Sequence, residues 1–103
     1  YSVKNENAIF LVAEDKERIV GYVTGFILPS KEDEAMVHET RVDPEQRGRG
    51  VGTKLVNKFC EQASERGVEL IYAYIESELK SFYIKSCDFK ETENNWIEVS
   101  KKT

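Results

Sequence analysis

Val42-Asp43-Pro44-Glu45-Gln46-Arg47-Gly48-Arg49-Gly50-Val51-Gly52-Thr53 is the stretch whose reading decides the fold. A strand-like run leads into it and Pro44 marks a loop. Glycines then stand at alternate positions with arginines among them, and an amphipathic helical pattern starts at Val51. Strand, basic glycine loop and helix start, in that order, build an anion site. Glycines let backbone N–H groups approach a ligand closely, and the first turn of the helix points its own N–H groups and the positive end of its dipole the same way. A phosphate or pyrophosphate is the expected occupant.

Spacing discriminates among phosphate loops. A Walker A loop ends in Gly-Lys-Ser/Thr, whereas Gly52 is followed by Thr53-Lys54. A dinucleotide fingerprint needs G-x-G-x-x-G, whereas Gly48, Gly50 and Gly52 give G-x-G-x-G. The pattern that fits is Arg47-x-x-Gly50-x-Gly52. It resembles the Q/R-x-x-G-x-G/A signature of the GNAT superfamily of N-acetyltransferases. Two further blocks carry the resemblance: Ala35 to Pro44, similar to that family's central strand running into its loop, and Phe82-Tyr83 with Lys85 and Phe89, similar to its late F-Y-x-K-x-G-F helix. The likeness extends from about Ala8 to about Ser100.

Composition bounds the class. At 103 residues the chain is one domain, residues 1–103. Its 40% hydrophobic and 33% charged content suits a globular protein. No apolar run approaches the roughly 18 residues of a membrane span, and the first residues given carry no signal-peptide pattern. A net charge of −4 argues against a general nucleic-acid surface, so Arg41, Arg47, Arg49 and Lys54 form a local basic patch on an acidic protein. Cys60 and Cys87 are not spaced as a metal site, and no metal is expected. Cys60 falls on the apolar face of a helix, where a buried thiol is expected; a thiol nucleophile is disfavoured because His38 is the only histidine. The default compartment is the cytoplasm.

Along the chain, Ala8–Ala13 and Ile19–Leu28 read as paired strands around a charged hairpin. Pro29 stops the second, Ser30–Glu34 reads as a polar turn, and Ala35–Val42 as a third strand, giving an antiparallel meander. Val51, Leu55, Val56, Phe59, Cys60 and Ala63 lie on one face of a helix closed by Gly67. Val68–Ile75 reads as a strand apolar on both faces, and so buried between layers. Ser77 can cap a helix running to about Ser86, and residues 89–90 and 96–100 read as a closing pair of strands. The fold expected is α/β (α+β), with a mixed, mostly antiparallel central sheet and helices packed on it. The strands flanking the glycine-loop helix are expected to be parallel or splayed apart.

The resemblance implies a function: transfer of an acetyl group from acetyl-CoA to a primary amine by direct attack within a ternary complex. It also implies that Arg47, Gly48, Arg49, Gly50, Val51, Gly52 and Thr53 hold the pyrophosphate of coenzyme A, and that Thr40, Arg41 and Val42 meet the pantetheine and the thioester carbonyl. A Val42 amide placed there would polarise the carbonyl. The splayed strands would leave a gap for the pantetheine arm. Tyr83 matches the general acid toward the departing sulfur. No one position serves as base across the family, so Glu39, His38, Glu34, Glu69 and Glu76 are candidates. Glu39 is favoured as closest along the strand to the thioester site, with His38 expected on the opposite face.

Several positions depart from the family pattern. Glu76 stands where asparagine is frequent, Leu79 where alanine is, and Cys87-Asp88 adds one residue before Phe89. The family's opening strand and helices are expected to be missing ahead of Tyr1. These departures leave open a non-catalytic acyl-CoA-binding or sensing module, and outside the family a nucleotide-phosphate binder. The amine acceptor, small molecule or protein, is not named by the sequence. Exposed edge strands could favour a homodimer.

Overall fold

The computed structural model describes residues 7–74, 77–92 and 98–103. Its elements are β1 (Ala8–Asp15), β2 (Arg18–Leu28), β3 (Lys31–Val42), α1 (Val51–Glu65), β4 (Leu70–Tyr74), α2 (Ser77–Ser81), a π-helical turn (Phe82–Ser86), β5 (Lys90–Glu91) and β6 (Glu98–Lys102). The strands form a six-stranded sheet in the order β1-β2-β3-β4-β6-β5. β3 and β4 pair in parallel, and the other neighbours are antiparallel. This is the mixed, mostly antiparallel sheet that the sequence implied.

The hairpins are tighter than their composition suggested. Lys16 and Glu17 both hold positive φ, 51° and 67°, and connect the paired residues Asp15 and Arg18, as a two-residue primed turn requires. The second turn is Pro29-Ser30 alone, because Leu28 pairs with Lys31. The polar run 31–34, expected as turn, therefore belongs to β3. Polarity misled there because this end of the strand is exposed: Lys31, Glu32 and Asp33 all face solvent.

The core lies between α1 and one face of the sheet. Leu55, Val56, Phe59, Cys60 and Ala63 are buried on α1, against Val23, Val37, Ile71 and Ala73 from the strands. Gly25 on β2 makes room for this packing, since a Cβ there would stand 2.6 Å from the Phe59 ring. β4 is buried on this face only. Ile71 and Ala73 are sealed while Leu70 and Tyr72 remain half-buried, so the expectation of burial on both faces is corrected. α2 begins at Ser77; Glu76, before it, lies outside the described residues, as do the capping of this helix and most of the turn between β5 and β6.

Two irregularities shape the region beside the glycine loop. First, the β3–β4 ladder ends at Val37↔Ala73, while β3 runs on to Val42. Second, the β2–β3 register shifts between Thr24↔Glu39 and Gly25↔Val37, leaving His38 as an extra residue, a β-bulge. Before the bulge Ala35 and Val37 face α1; after it Thr40, opposite buried Val23, and Val42, opposite Gly21, do so. Glu39 and Arg41 are turned to the other face, with Met36. Simple alternation, on which the expectation for His38 and Glu39 rested, does not pass through a bulge.

Candidate active site

A groove of about 1010 Å³ opens where β3 outruns β4. Its walls are the end of β3, the glycine loop with the first turn of α1, and one side of α2 and the π-helical turn. Glu39, Thr40, Arg41, Val42, Arg47, Gly48, Gly50, Val51, Gly52, Thr53 and Tyr83 all line it. Residues from three separated segments are thus brought to one place. Arg49 is not among the lining residues. His38, Gln46, Leu79, Phe82 and Ser86 are.

The loop is held from beneath. Asp43 caps a short 3-10 turn, Pro44–Gln46, by accepting from the Glu45 N–H at 3.2 Å. Arg18 donates to the other Asp43 oxygen at 2.9 Å. Gly48 and Gly50 both adopt φ of 81°, which an L side chain rarely does. Gly50 is the N-cap of α1, and no side chain caps that end, so the first turn presents backbone donors rather than a closed cap. A Cβ at Gly48 or Gly50 would meet nothing within 4 Å; these glycines serve backbone conformation. Gly52 serves space, because its Cβ would lie 3.2 Å from Phe82 Cζ and 3.4 Å from Val42 Cγ2.

The strand end supplies directed backbone. The Asp43 amide donates to the Val20 carbonyl on β2 at 2.7 Å. Amides alternate in direction along a strand, so the Val42 N–H turns away from β2, toward the side where β4 no longer pairs. This donor points into the groove.

Tyr83 is 3% exposed and packs edge-on against Phe82 and Phe89, with ring centroids 5.2 Å and 5.3 Å away. Its hydroxyl lies 3.1 Å from Thr40 Oγ1. Burial pushes the phenol above its ordinary pKa, and the Thr40 hydrogen bond pulls it partly back; the phenol is therefore protonated at neutral pH. The π-helical turn accommodates the residue that the family pattern lacks. The Tyr83 carbonyl accepts from both Cys87 N (3.2 Å) and Phe89 N (3.1 Å), and Asp88 takes φ of 61° between them. One extra residue is absorbed by widening the last turn, and Phe89 still reaches the core beneath Tyr83.

Glu39 accepts from Arg41 Nε at 2.7 Å and from the Tyr22 hydroxyl at 2.9 Å. These bonds, Arg41 first, hold its carboxyl below the usual carboxylate range, and Tyr22 is raised in turn. Tyr22 carried no signal in the sequence; only the register, Tyr22↔Arg41, brings it here. Glu34 and Glu69 lie at the far end of β3 and β4, where Glu34 pairs with Leu70. His38 is exposed at the groove. The thiols of Cys60 and Cys87 are buried, with pKa values pushed up to about 11 and about 12 by burial.

Comparison with known proteins settles the family. The profile of the acetyltransferase (GNAT) family matches residues 1–89. The chain belongs to the GNAT family. An uncharacterised N-acetyltransferase of Methanocaldococcus jannaschii is 35% identical, over 97% of this chain and 48% of its own length. An L-2,4-diaminobutyric acid acetyltransferase of Shouchella clausii is 34% identical over 63% of this chain and 36% of its own length. The chain thus spans about half the length, or less, of these GNAT relatives. Among solved structures, a PaiA N-acetyltransferase of Thermoplasma acidophilum in complex with coenzyme A superposes with a TM-score of 0.81 at 22% identity, covering 94% of this chain and 62% of that one. An aminoglycoside 6'-N-acetyltransferase complexed with coenzyme A gives 0.77 at 19% identity, covering 95% and 74%. These likenesses establish the GNAT fold.

Proposed function

We propose that this GNAT domain transfers an acetyl group from acetyl-CoA to a primary amine by direct attack in a ternary complex. The observation that carries the reading is the convergence of the glycine loop, the inward Val42 amide and Tyr83 on one groove. The residues present suit coenzyme A. Gly48, Gly50, Val51, Gly52 and Thr53, with Arg47 and Arg49 beside them, hold the pyrophosphate through backbone donors and positive charge. Thr40, Arg41 and Val42 run beside the pantetheine, and the Val42 N–H polarises the thioester carbonyl. Acetyl-CoA brings the activated acyl group; the chain supplies position and proton management.

Tyr83 is the general acid toward the leaving sulfur, held protonated by its burial. Glu39 is the carboxylate that takes the amine's proton, directly or through water. Its lowered pKa makes it a weak base but keeps it ionised, which favours attraction of an ammonium group. The names of the relatives support a small diamine as acceptor, with L-2,4-diaminobutyrate the first to try. Free, buried cysteines support a cytoplasmic setting. The test is acetyl-CoA turnover against a panel of diamines, amino acids and peptides, with Tyr83→Phe alongside. A fall in kcat of about 10²-fold or more with unchanged coenzyme A affinity is expected. A parent that binds coenzyme A and acetylates none of them contradicts the reading.

A further inference from the structure

Thr40 and Tyr83 are 43 positions apart in sequence, yet their hydroxyls meet at 3.1 Å. The contact depends on the bulge. With unbroken alternation Glu39, two residues after buried Val37, would face α1 and Tyr83. The extra residue at His38 transfers that place to Thr40, opposite Val23. The sheet irregularity therefore substitutes a small neutral hydroxyl for a carboxylate beside the buried phenol.

The substitution has chemical consequences. A carboxylate there would accept the phenolic hydrogen and hold it away from the groove. A threonine hydroxyl can donate instead, leaving the phenolic hydrogen to point elsewhere. Tyr83 is fixed by Phe82 and Phe89 on its ring faces and edges, so its O–H torsion is the freedom left for Thr40 to set. Both residues line the groove.

We infer that Thr40 is a positioning residue for Tyr83: its hydroxyl donates to the Tyr83 oxygen, aims the phenolic hydrogen into the groove and stabilises the phenolate left after proton transfer. This rests on the acetyltransferase reading above. In that reaction the amine nitrogen bonds to the acetyl carbon and the carbon–sulfur bond breaks, its electron pair leaving on sulfur. Sulfur takes the proton of Tyr83, and the surplus proton on nitrogen passes through Glu39 and solvent to restore the phenol. The products are an amide and free coenzyme A. During the interval in which Tyr83 is a phenolate, the Thr40 bond is charge-assisted and at its strongest.

The experiment compares Thr40→Val, which keeps shape and removes the hydroxyl, with Thr40→Ser, which keeps the hydroxyl, in parent and Tyr83→Phe backgrounds. Acetyl-CoA with L-2,4-diaminobutyrate, and acetyl-CoA with water as acceptor, are the activity probes; coenzyme A affinity is measured by calorimetry. Thr40→Val is expected to lower kcat about tenfold, the worth of one such hydrogen bond, with KM for acetyl-CoA within about twofold. Thr40→Ser should restore it, and Thr40→Val should add nothing in Tyr83→Phe. A readout independent of turnover is the ionisation of Tyr83, followed by near-ultraviolet absorbance with Tyr83→Phe as reference. It should move to higher pH in Thr40→Val and stay in place in Thr40→Ser. Parent-like kcat in Thr40→Val, failure of Thr40→Ser, or an equal loss in the Tyr83→Phe background overturns the inference while leaving the acetyltransferase reading intact. A parent that binds coenzyme A but cleaves the thioester with neither probe overturns the reading and Thr40's role with it.

Discussion

The amide of Phe89 donates to the carbonyl of Tyr83 at 3.1 Å, six residues back and so two more than an α-helical bond spans. That bond ties the buried phenol at the groove to the core residue beneath it, and it requires Asp88 to sit at φ of 61°. A non-glycine residue there is strained by roughly 1–2 kcal/mol, somewhat less for aspartate. Asp88→Gly removes the strain and costs some chain entropy. A net gain of about 0.5–1 kcal/mol is expected, raising Tm by roughly 2–6 °C for a chain of this size. Thermal unfolding checks it; a lower Tm would mean that the aspartate side chain, not the backbone, stabilises the turn.

Gly52 and Phe82 set the width of the groove where α1 meets the π-helical turn. In Gly52→Ala the added methyl gains up to about 1 kcal/mol of helix propensity but overpacks against Phe82 and Val42, at about 1–3 kcal/mol. Overpacking should win, so Tm falls and coenzyme A binds more weakly. An increase in Tm with unchanged affinity would show that Phe82 yields freely.

The pair Glu39 and Tyr22 makes a pH prediction. Glu39 is held below its ordinary pKa by Arg41 and Tyr22. Its contribution to stability is therefore complete above the unfolded-state pKa and is lost as pH falls through the lower, folded value. Glu39→Gln should flatten the acid limb of the stability profile, and Tyr22→Phe should move the Glu39 carboxyl titration, read by NMR, upward. A Glu39 titration at the ordinary glutamate value in the parent would contradict the hydrogen-bonded arrangement.

The thiols should be silent. With pKa values near 11 for Cys60 and 12 for Cys87, both from burial, thiolate at pH 8 is rarer by roughly two orders of magnitude or more than for an open cysteine. Labelling with a maleimide should be slow in the folded protein and fast in denaturant, and thiol reagents should leave turnover unchanged. Rapid labelling of the native chain would argue against this packing.

Much of this was legible in the residues. The face Leu55, Val56, Phe59, Cys60, Ala63 is a direct consequence of helical period, and the glycine turn ahead of the helix start at Val51 lies where the residues placed it. What the residues could not show were the places where regular geometry is interrupted. Nothing about His38 marks it as a bulge, because a bulge is a mismatch between two strands and belongs to neither alone. Tyr22 joins the site only through that register. Strand ends at Lys31 and Asp15 were hidden by polar composition, since an exposed strand end and a turn carry the same side chains. The extra residue at Cys87-Asp88 was visible as a departure, but its solution, a widened turn with Asp88 left-handed, is a property of the backbone.

The central claim is that the loop from Arg47 to Thr53 holds the pyrophosphate of coenzyme A. Calorimetric titration with coenzyme A and acetyl-CoA, with ATP as control and Gly50→Glu as the loop knockout, tests it most directly. The account predicts binding of both coenzyme forms, weaker binding of ATP, and loss of all binding in Gly50→Glu, where a side chain and a negative charge enter a backbone held at φ of 81°. A folded parent that binds neither form, or a Gly50→Glu variant that binds them as the parent does, would contradict it.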